Sequence, residues 1–362
     1  MIDKIVEYIE NSFLKDLLKE DSITDISYNG ETVYYKDNLK GRLKSDLSIT
    51  KNEAYSFIRQ IANLTDSLFS YTNPILDVSV GRYRINATHS SISRKNREKT
   101  TTFSIRIGYE KLRIKDNDGF VNPLAYKLIN FALKSNNSIV ISGKTGTGKT
   151  EFQKYLLSKL PPFSRIITID NINELETDYF VKDIDSLTWL NRVSENSKVD
   201  IDTLIKNALR STPDWLIVGE ARGKEMLTLL SSVMSGHPTI TTLHSKRSEF
   251  TYKRMARMAM IGNESLIYEE TLSDIYDHFK LIVHLNSYYD FEKKMYVRYV
   301  DEIGTNCNSV YKKLYVYPNE FDEINDSFKK DFELNELEYN SYNDEVRRTK
   351  TCQNIWYIAY FA

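Results

Sequence analysis

Apolar positions along the first stretch of the chain, Ile2, Ile5, Val6, Ile9, Phe13, Leu14, Leu17 and Leu18, recur at i, i+3 and i+4 spacing. That spacing predicts an opening helix with a single core-facing stripe. The period then changes to two. ITDISYNGETVYYKD alternates on either side of Asn29-Gly30, a pair suited to the positive φ angles of a tight hairpin turn. A second helix is predicted from Asn52 to Leu64. PILDVSVGRYRINATHS and TTFSIRI then read as three more strands, with Gly81 near one turn and the basic loop SSISRKNREK between them. Together these make a first α/β sandwich unit. Arg82, Arg84, Arg94, Arg97 and Arg106 crowd its second half, and alternation puts Arg82, Arg84 and Asn86 on one strand face. By charge pattern alone, a solvated edge and a ligand-facing surface are equal readings.

From Tyr109 to Phe120 the sequence YEKLRIKDNDGF is charged and aperiodic, which predicts a connecting segment able to act as a hinge. Asn122-Pro123 reads as a cap and first-turn proline before the helix PLAYKLINFALKS. Beyond it, strands and helices alternate. RIITIDNINELE is a strand ending in acids, Asp202 to Arg210 a short helix stopped by Pro213, and WLIVGE another buried strand. Gly223 to Ser235 reads as a helix closed by Gly236, TITTLH as a strand, and Arg247 to Ile261 as a long helix. KLIVHLN, KMYVRYVDEI and SVYKKLYVY add strands. Strands alternating with helices imply a mostly parallel sheet covered on both faces. The expected division is residues 1–108 as the first domain, 109–121 as a linker, 122–318 as a second α/β domain, and 319–362 as an acid-rich, Tyr-rich appendage for a partner.

The chemistry is concentrated in IVISGKTGTGKT, residues 139–150. It reads as a buried strand followed by a phosphate-binding loop with Gly143, Gly148, Lys149 and Thr150 at GxxxxGK[ST] spacing. The glycines let successive N–H groups turn inward at phosphate oxygens, and the helix that follows adds the positive end of its dipole. Lys144, Thr145, Gly146 and Thr147 complete the cradle, and Glu151 follows it. Lys149 is expected to reach the β and γ phosphates of a nucleotide. Thr150 offers a hydroxyl to Mg²⁺, an ion that otherwise keeps water and phosphate oxygens.

Charge and cysteine content narrow the setting. Lys and Arg number 49 against 50 Asp and Glu, so the whole-chain field argues against nucleic acid as a partner. Cys307 and Cys352 stand far apart, without companions at ligand spacing, so neither a disulfide framework nor zinc is expected. No apolar run approaches the roughly 18 residues of a membrane span, and the first residues lack a signal-peptide pattern. The expectation is a cytoplasmic protein, at most peripheral to a membrane.

A phosphate loop names a nucleotide and leaves the reaction open. Asp170 and Glu174 follow the strand IITI at the edge where parallel sheets open a ligand crevice, and either is a candidate to hold Mg²⁺ through water or to position a water. Glu220 ends WLIVG, where a metal- or water-facing acid is expected. Gly219 takes the place of the usual metal-holding Asp, leaving Glu220 to carry that task alone. His244 ends TITTL, placed to contact a γ-phosphate.

The four stretches GKTGTGKT, TIDNINELE, LRSTPDWLIVGEARG and SGHPTITTLHS, in this order, resemble the secretion ATPase superfamily of type II secretion, type IV secretion, conjugation and pilus machines. The resemblance spans roughly Met1 to Thr305. It implies a PAS-like N-terminal α/β sandwich followed by a RecA-like ATPase domain, working as a homo-hexamer against a membrane-embedded platform, with ATP and Mg²⁺ as cofactors. It also implies Glu220 as catalytic glutamate, Glu174 in the acidic box sharing the metal with Thr150 and Glu220, and His244 as γ-phosphate sensor. Arg192, Arg210 and Arg222 match basic positions around the nucleotide or the subunit seam. Arg84 and Arg106 match N-domain arginines that close over ATP. Asn171 and Thr212 depart from the family pattern, and the four-cysteine zinc module of many type II enzymes is missing, which favours a conjugation or pilus-like relative. A nucleotide-gated scaffold with little turnover and a DNA-translocating motor are the alternative readings. A GTP switch lacks its guanine-reading NKxD.

Overall fold

The computed structural model describes residues 2–109, 111–171, 174–175, 177, 184–194, 197–307 and 309–361, except for the side chains of 192–194, 197–198 and 352–361. Two compact units emerge: Met1–Glu110 with Tyr288–Val297, and Lys111–Ser287 with Arg298–Ala362.

In the first unit the opening stripe is split into α1 (Ile2–Glu10) and α2 (Lys15–Leu18). The reason is local. Ser12 Oγ donates to the Ile9 carbonyl at 2.7 Å and accepts from the Leu14 N–H at 3.2 Å, so a side chain takes over bonds the helix ladder would use. Six strands follow in the order β3-β2-β1-β8-β5-β4. They are β1 (Ile23–Tyr28), β2 (Val33–Asp37), β3 (Gly41–Lys44), β4 (Ile75–Val80), β5 (Tyr83–Thr88) and β8 (Thr102–Ile107). Helix α3 (Lys51–Leu64), closed at its start by a capping box of Thr50 and Glu53, lays Phe57, Ile58 and Ile61 into the same core as Ile26, Ile85 and Ile105. The basic loop forms its own small hairpin, β6 (Arg94–Lys95) with β7 (Glu98–Lys99), turning at Asn96 and Arg97, both at positive φ.

The second unit is built on nine strands in the order β11-β10-β14-β15-β9-β16-β17-β18-β19. Its elements are α4 (Pro123–Lys134), β9 (Ile139–Gly143), α5 (Lys149–Leu157), β10 (Arg165–Asp170), β11 (Asp185–Leu190), β12 (Arg192–Ser194), β13 (Ser197–Val199), α6 (Ile201–Ala208) and β14 (Trp215–Val218). The chain goes on through α7 (Glu225–Met234), β15 (Thr239–His244), α8 (Thr251–Gly262), α9 (Tyr268–His278), β16 (Leu281–Asp290), β17 (Met295–Cys307), β18 (Val310–Val316), β19 (Glu320–Phe321), α10 (Asp326–Asp331) and α11 (Glu336–Phe361). From β11 through β16 every neighbouring pair is parallel, so the sheet is mostly parallel as its alternating pattern predicts. One face packs on α4 and α5, the other on α6 to α9, and side chains such as Ile141 and Val140 leave β9 toward opposite cores.

Two expectations are revised here. The acid-rich stretch after residue 319 does not stand off as an appendage within the described residues. Phe321, Ile324, Phe328, Phe332, Tyr342 and Val346 enter the α4 and α5 core, with Phe328 and Phe332 one helical turn apart and stacked at 3.9 Å. The connecting segment is also no free hinge over its whole length. Asp116 accepts from Tyr155 Oη at 2.7 Å and from Lys159 Nζ at 2.8 Å, Phe120 stacks on Phe152 at 5.6 Å, and the Val300 N–H donates to the Phe120 carbonyl at 2.8 Å. The chain also returns to the first unit once, through Tyr288–Val297, where the Tyr296 N–H donates to the Leu39 carbonyl at 2.6 Å.

Candidate nucleotide-binding site

Strand β9 ends at Gly143 and α5 begins at Lys149, so Lys144 to Gly148 form the loop at the carboxyl edge of the parallel strands. Gly143 has no alternative: at φ 154° a Cβ would sit 2.6 Å from the Leu285 carbonyl oxygen and 2.8 Å from Thr147 Oγ1. Thr147 Oγ1 donates to the Lys144 carbonyl at 2.9 Å, bracing the turn. Gly148 caps α5 with no side-chain acceptor, which leaves the first-turn N–H groups to an anion, with Thr150 and Glu151 on that turn.

Lys149 is buried, and its ammonium donates to the carbonyls of Gly143 at 3.2 Å and Lys144 at 2.9 Å. Its third donor faces His244 Nδ1 at 3.2 Å. Burial pulls the Lys149 pKa down to about 8, with Glu220 opposing the shift. Burial and the nearby Lys149 also hold His244 below the ordinary imidazole range, so its ring is neutral at pH 7. A neutral ring that accepts at Nδ1 donates at Nε2, and Nε2 lies 3.2 Å from Glu220 Oε1. The other oxygen of Glu220 takes Arg222 at 2.8 Å. The result is a continuous series, Lys149, His244, Glu220 and Arg222, drawn from the ends of three elements.

Asp170 carries the second arrangement. Gly219 stands where a Cβ would come within 2.6 Å of Asp170 Oδ1, so the carboxylate of β10 fills the space a side chain on Gly219 would take. Asp170 is itself buried and accepts from the N–H of Asn171 at 2.7 Å and of Glu174 at 3.1 Å, fixing the start of the acidic segment. Glu174 lies close enough to Arg222 and Glu151 to act on both electrostatically.

The basic candidates separate. Arg222 is in the crevice. Arg210 lies just before β14, at the amino-terminal end of the strands, away from the phosphate loop. The side chain of Arg192 lies outside the described residues. Arg84 and Arg106 belong to the first unit, directly opposite one another across β5 and β8, and pair with Asp77 at 3.4 Å and Asp25 at 3.3 Å. Sequence reasoning missed Gln153, whose buried side-chain amide donates to the carbonyls of Val218 at 3.0 Å and Ile240 at 3.1 Å, tying α5 to the strands behind Glu220 and His244. An uncharged amide among the buried positions of α5, next to Phe152, Leu156 and Leu157, was the available signal.

A polyanion fits this loop: a buried ammonium whose hydrogen bonds among the described residues go to two carbonyls and an imidazole, beside an uncapped helix start. Among the described residues no three His, Cys, Asp or Glu side chains converge on a metal-sized point. Thr150, Glu174 and Glu220 remain the expected holders of Mg²⁺, an ion that takes few protein ligands and fills its shell with phosphate and water.

Residues 101–300, more than half of the chain, match the family model described as Type II/IV secretion system protein. The chain belongs to that family. An uncharacterized protein of Bacillus anthracis is 32% identical over 327 residues, covering 86% of this chain and 70% of that protein. The type IV secretion system protein VirB11 of Brucella suis is 30% identical over 164 residues, covering 43% of this chain and 44% of VirB11. The match thus spans less than half of VirB11. The ATPase DotB of Yersinia pseudotuberculosis shares the fold, with a TM-score of 0.61 at 15% identity over 92% of this chain and 84% of DotB. For a secretion-system family member, the phosphate loop and the crevice acids fall within the matched residues 101–300. Family and loop agree on nucleotide binding.

Proposed function

We propose that this chain hydrolyses ATP and uses the cycle to drive a secretion, conjugation or pilus machine, as one subunit of a homo-hexamer at the cytoplasmic face of a membrane-embedded platform. The observation that carries the catalytic part is the series from Lys149 through His244 and Glu220 to Arg222. Bound ATP would draw the Lys149 ammonium from the loop carbonyls to the phosphates. Glu220, aimed by Arg222, would then accept a proton from the attacking water, while His244 donates from Nε2 toward the γ-phosphate side. Mg²⁺ supplies charge neutralisation on the phosphates. Arg84 and Arg106 serve in this reading as sensors of ATP over ADP, exchanging Asp77 and Asp25 for a phosphate.

A second reading, a nucleotide-gated scaffold with slow turnover, is favoured by one observation: the Asp170 carboxylate beside Gly219 is engaged with backbone N–H groups. Steady-state hydrolysis, with particle mass in nonhydrolysable ATP, tests both. Turnover by six-subunit particles that is lost in Glu220→Gln supports the motor reading. Nucleotide binding without turnover supports the scaffold.

A further inference from the structure

Arg298 is a residue that neither the motif nor the crevice series includes. Its Nε donates to the Gly146 carbonyl at 2.8 Å, and its Cδ lies 3.6 Å from the point a Cβ on Gly148 would occupy. The Phe120 ring approaches that same point at 3.6 and 3.7 Å, while itself stacked on Phe152 of α5. The outer rim of the phosphate loop is thus gripped from outside by β17 and by the segment leading into α4. Two residues beyond Arg298, the Val300 N–H holds the Phe120 carbonyl at 2.8 Å, so both gripping groups are tied together.

The choice of carbonyl matters. In a loop whose N–H groups turn inward to an anion, a donor on an exposed carbonyl that Lys149 does not use, such as that of Gly146, fixes the loop without competing for phosphate. Gly146 is at φ 84° with nothing within 4 Å of its Cβ position, so no side chain of its own restrains it. Arg298 supplies the restraint. It also sits where β17 passes between units: Met295–Val297 fold with the first unit and Arg298 with the second. The Tyr296 N–H, two residues before it, bonds the Leu39 carbonyl at 2.6 Å.

We propose that Arg298 is a positioning residue that sets the phosphate loop for a nucleoside di- or triphosphate, and that the Tyr288–Val297 hairpin carries the loop's occupancy to the first unit. This rests on the reading of the loop as a nucleotide site. A pre-set loop binds its ligand without the cost of ordering, so loss of Arg298 weakens ADP and ATP together and spares the chemical step. That pattern differs from the loss of a γ-phosphate sensor, which would affect ATP alone.

The test uses the full chain with Arg298→Ala, Arg298→Lys and, as a control on the nucleotide reading, Lys149→Met. ADP and nonhydrolysable ATP are titrated, kcat and KM are measured, and hydrogen exchange of 288–297 is followed with and without ADP. Arg298→Ala is expected to weaken both nucleotides roughly 5- to 10-fold, the net scale of one ordinary exposed hydrogen bond. It should raise KM with kcat nearly unchanged, keep the ligand-free melting temperature, and abolish the ADP-dependent change in exchange at 288–297. Arg298→Lys should recover part of the affinity. Parent-like affinities in Arg298→Ala, or parent exchange that ignores ADP, overturn the proposal. A parent protein that binds no nucleotide, like Lys149→Met, overturns the nucleotide reading and this inference with it.

Discussion

Lys149 Nζ stands 3.2 Å from His244 Nδ1, joining the first residue of α5 to the last residue of β15 across the mouth of the crevice. Both groups are bases, and burial lowers the proton affinity of each. The contact is possible because His244 is neutral and accepts the lysine proton.

Lys149 titrates near pH 8 in this site against an ordinary value of 10.5, so the unfolded chain binds more protons across that window. This group's contribution to stability therefore rises as pH rises from 8 to 10.5 and is unfavourable below it. Nucleotide phosphates favour the charged form, so binding at pH 8.5 should take up a proton. Calorimetric titrations in buffers of different ionisation enthalpy check the sign, and ADP affinity should fall as pH climbs above 8. A pH-independent affinity between 7 and 9.5 would sink the assignment.

Lys149→Met keeps an unbranched side chain out to Cε and removes the buried ammonium. It should abolish nucleotide binding while leaving the ligand-free melting temperature equal to or above that of the parent, since the loss of a desolvated cation offsets the lost bonds to two carbonyls. Differential scanning calorimetry with and without ADP provides both readouts.

Glu220→Gln should keep ATP bound and lower turnover roughly 10²- to 10⁴-fold, the usual range for loss of a positioned general base. His244→Ala should slow turnover with the fold intact, because its side chain lies at the crevice edge. Single-turnover hydrolysis against equilibrium binding separates the two steps. Parent-rate hydrolysis by Glu220→Gln would contradict the proposed role.

Gly219 and Asp170 form a swap pair. Gly219→Asp alone forces two carboxylates into one space and should destabilise the protein by about 1–3 kcal/mol, as overpacking does. Adding Asp170→Gly should restore much of that loss, since the space is then filled once. Denaturant unfolding of the two single variants and the double variant measures the coupling, and additive losses would show that the residues do not compete.

His284 marks the opposite face of the sheet. It is buried, bonded through Nδ1 to Ser142 Oγ at 2.8 Å, and its pKa is pushed down to about 4 by burial. The unfolded chain takes up that proton near pH 6.5, so the protein should lose stability as pH falls from 6.5 to 4. His284→Gln should flatten this part of the pH profile of the melting temperature.

Local sequence determined the parts whose chemistry depends on neighbours in the chain. The phosphate loop, the Asn122-Pro123 helix start and the parallel strands ending at Asp170, Val218 and His244 were all readable, because glycine φ angles, caps and hydrophobic runs act over a few residues. Tertiary structure alone decided what stands beside them. Nothing in the spacing of Gly219 and Asp170 tells that one vacates the room the other fills, since Asp170 ends β10 and Gly219 directly follows its neighbour β14, two strands joined by a long crossover. Nor does a charged residue in the alternating MYVRYVDEI announce that Arg298 reaches Gly146, more than a hundred residues earlier in the chain. The acid-rich end misled for the same reason: its composition is that of a solvated tail, but Phe328, Phe332 and Tyr342 gain more from the α4 face than the surrounding acids lose, because those acids stay at the surface.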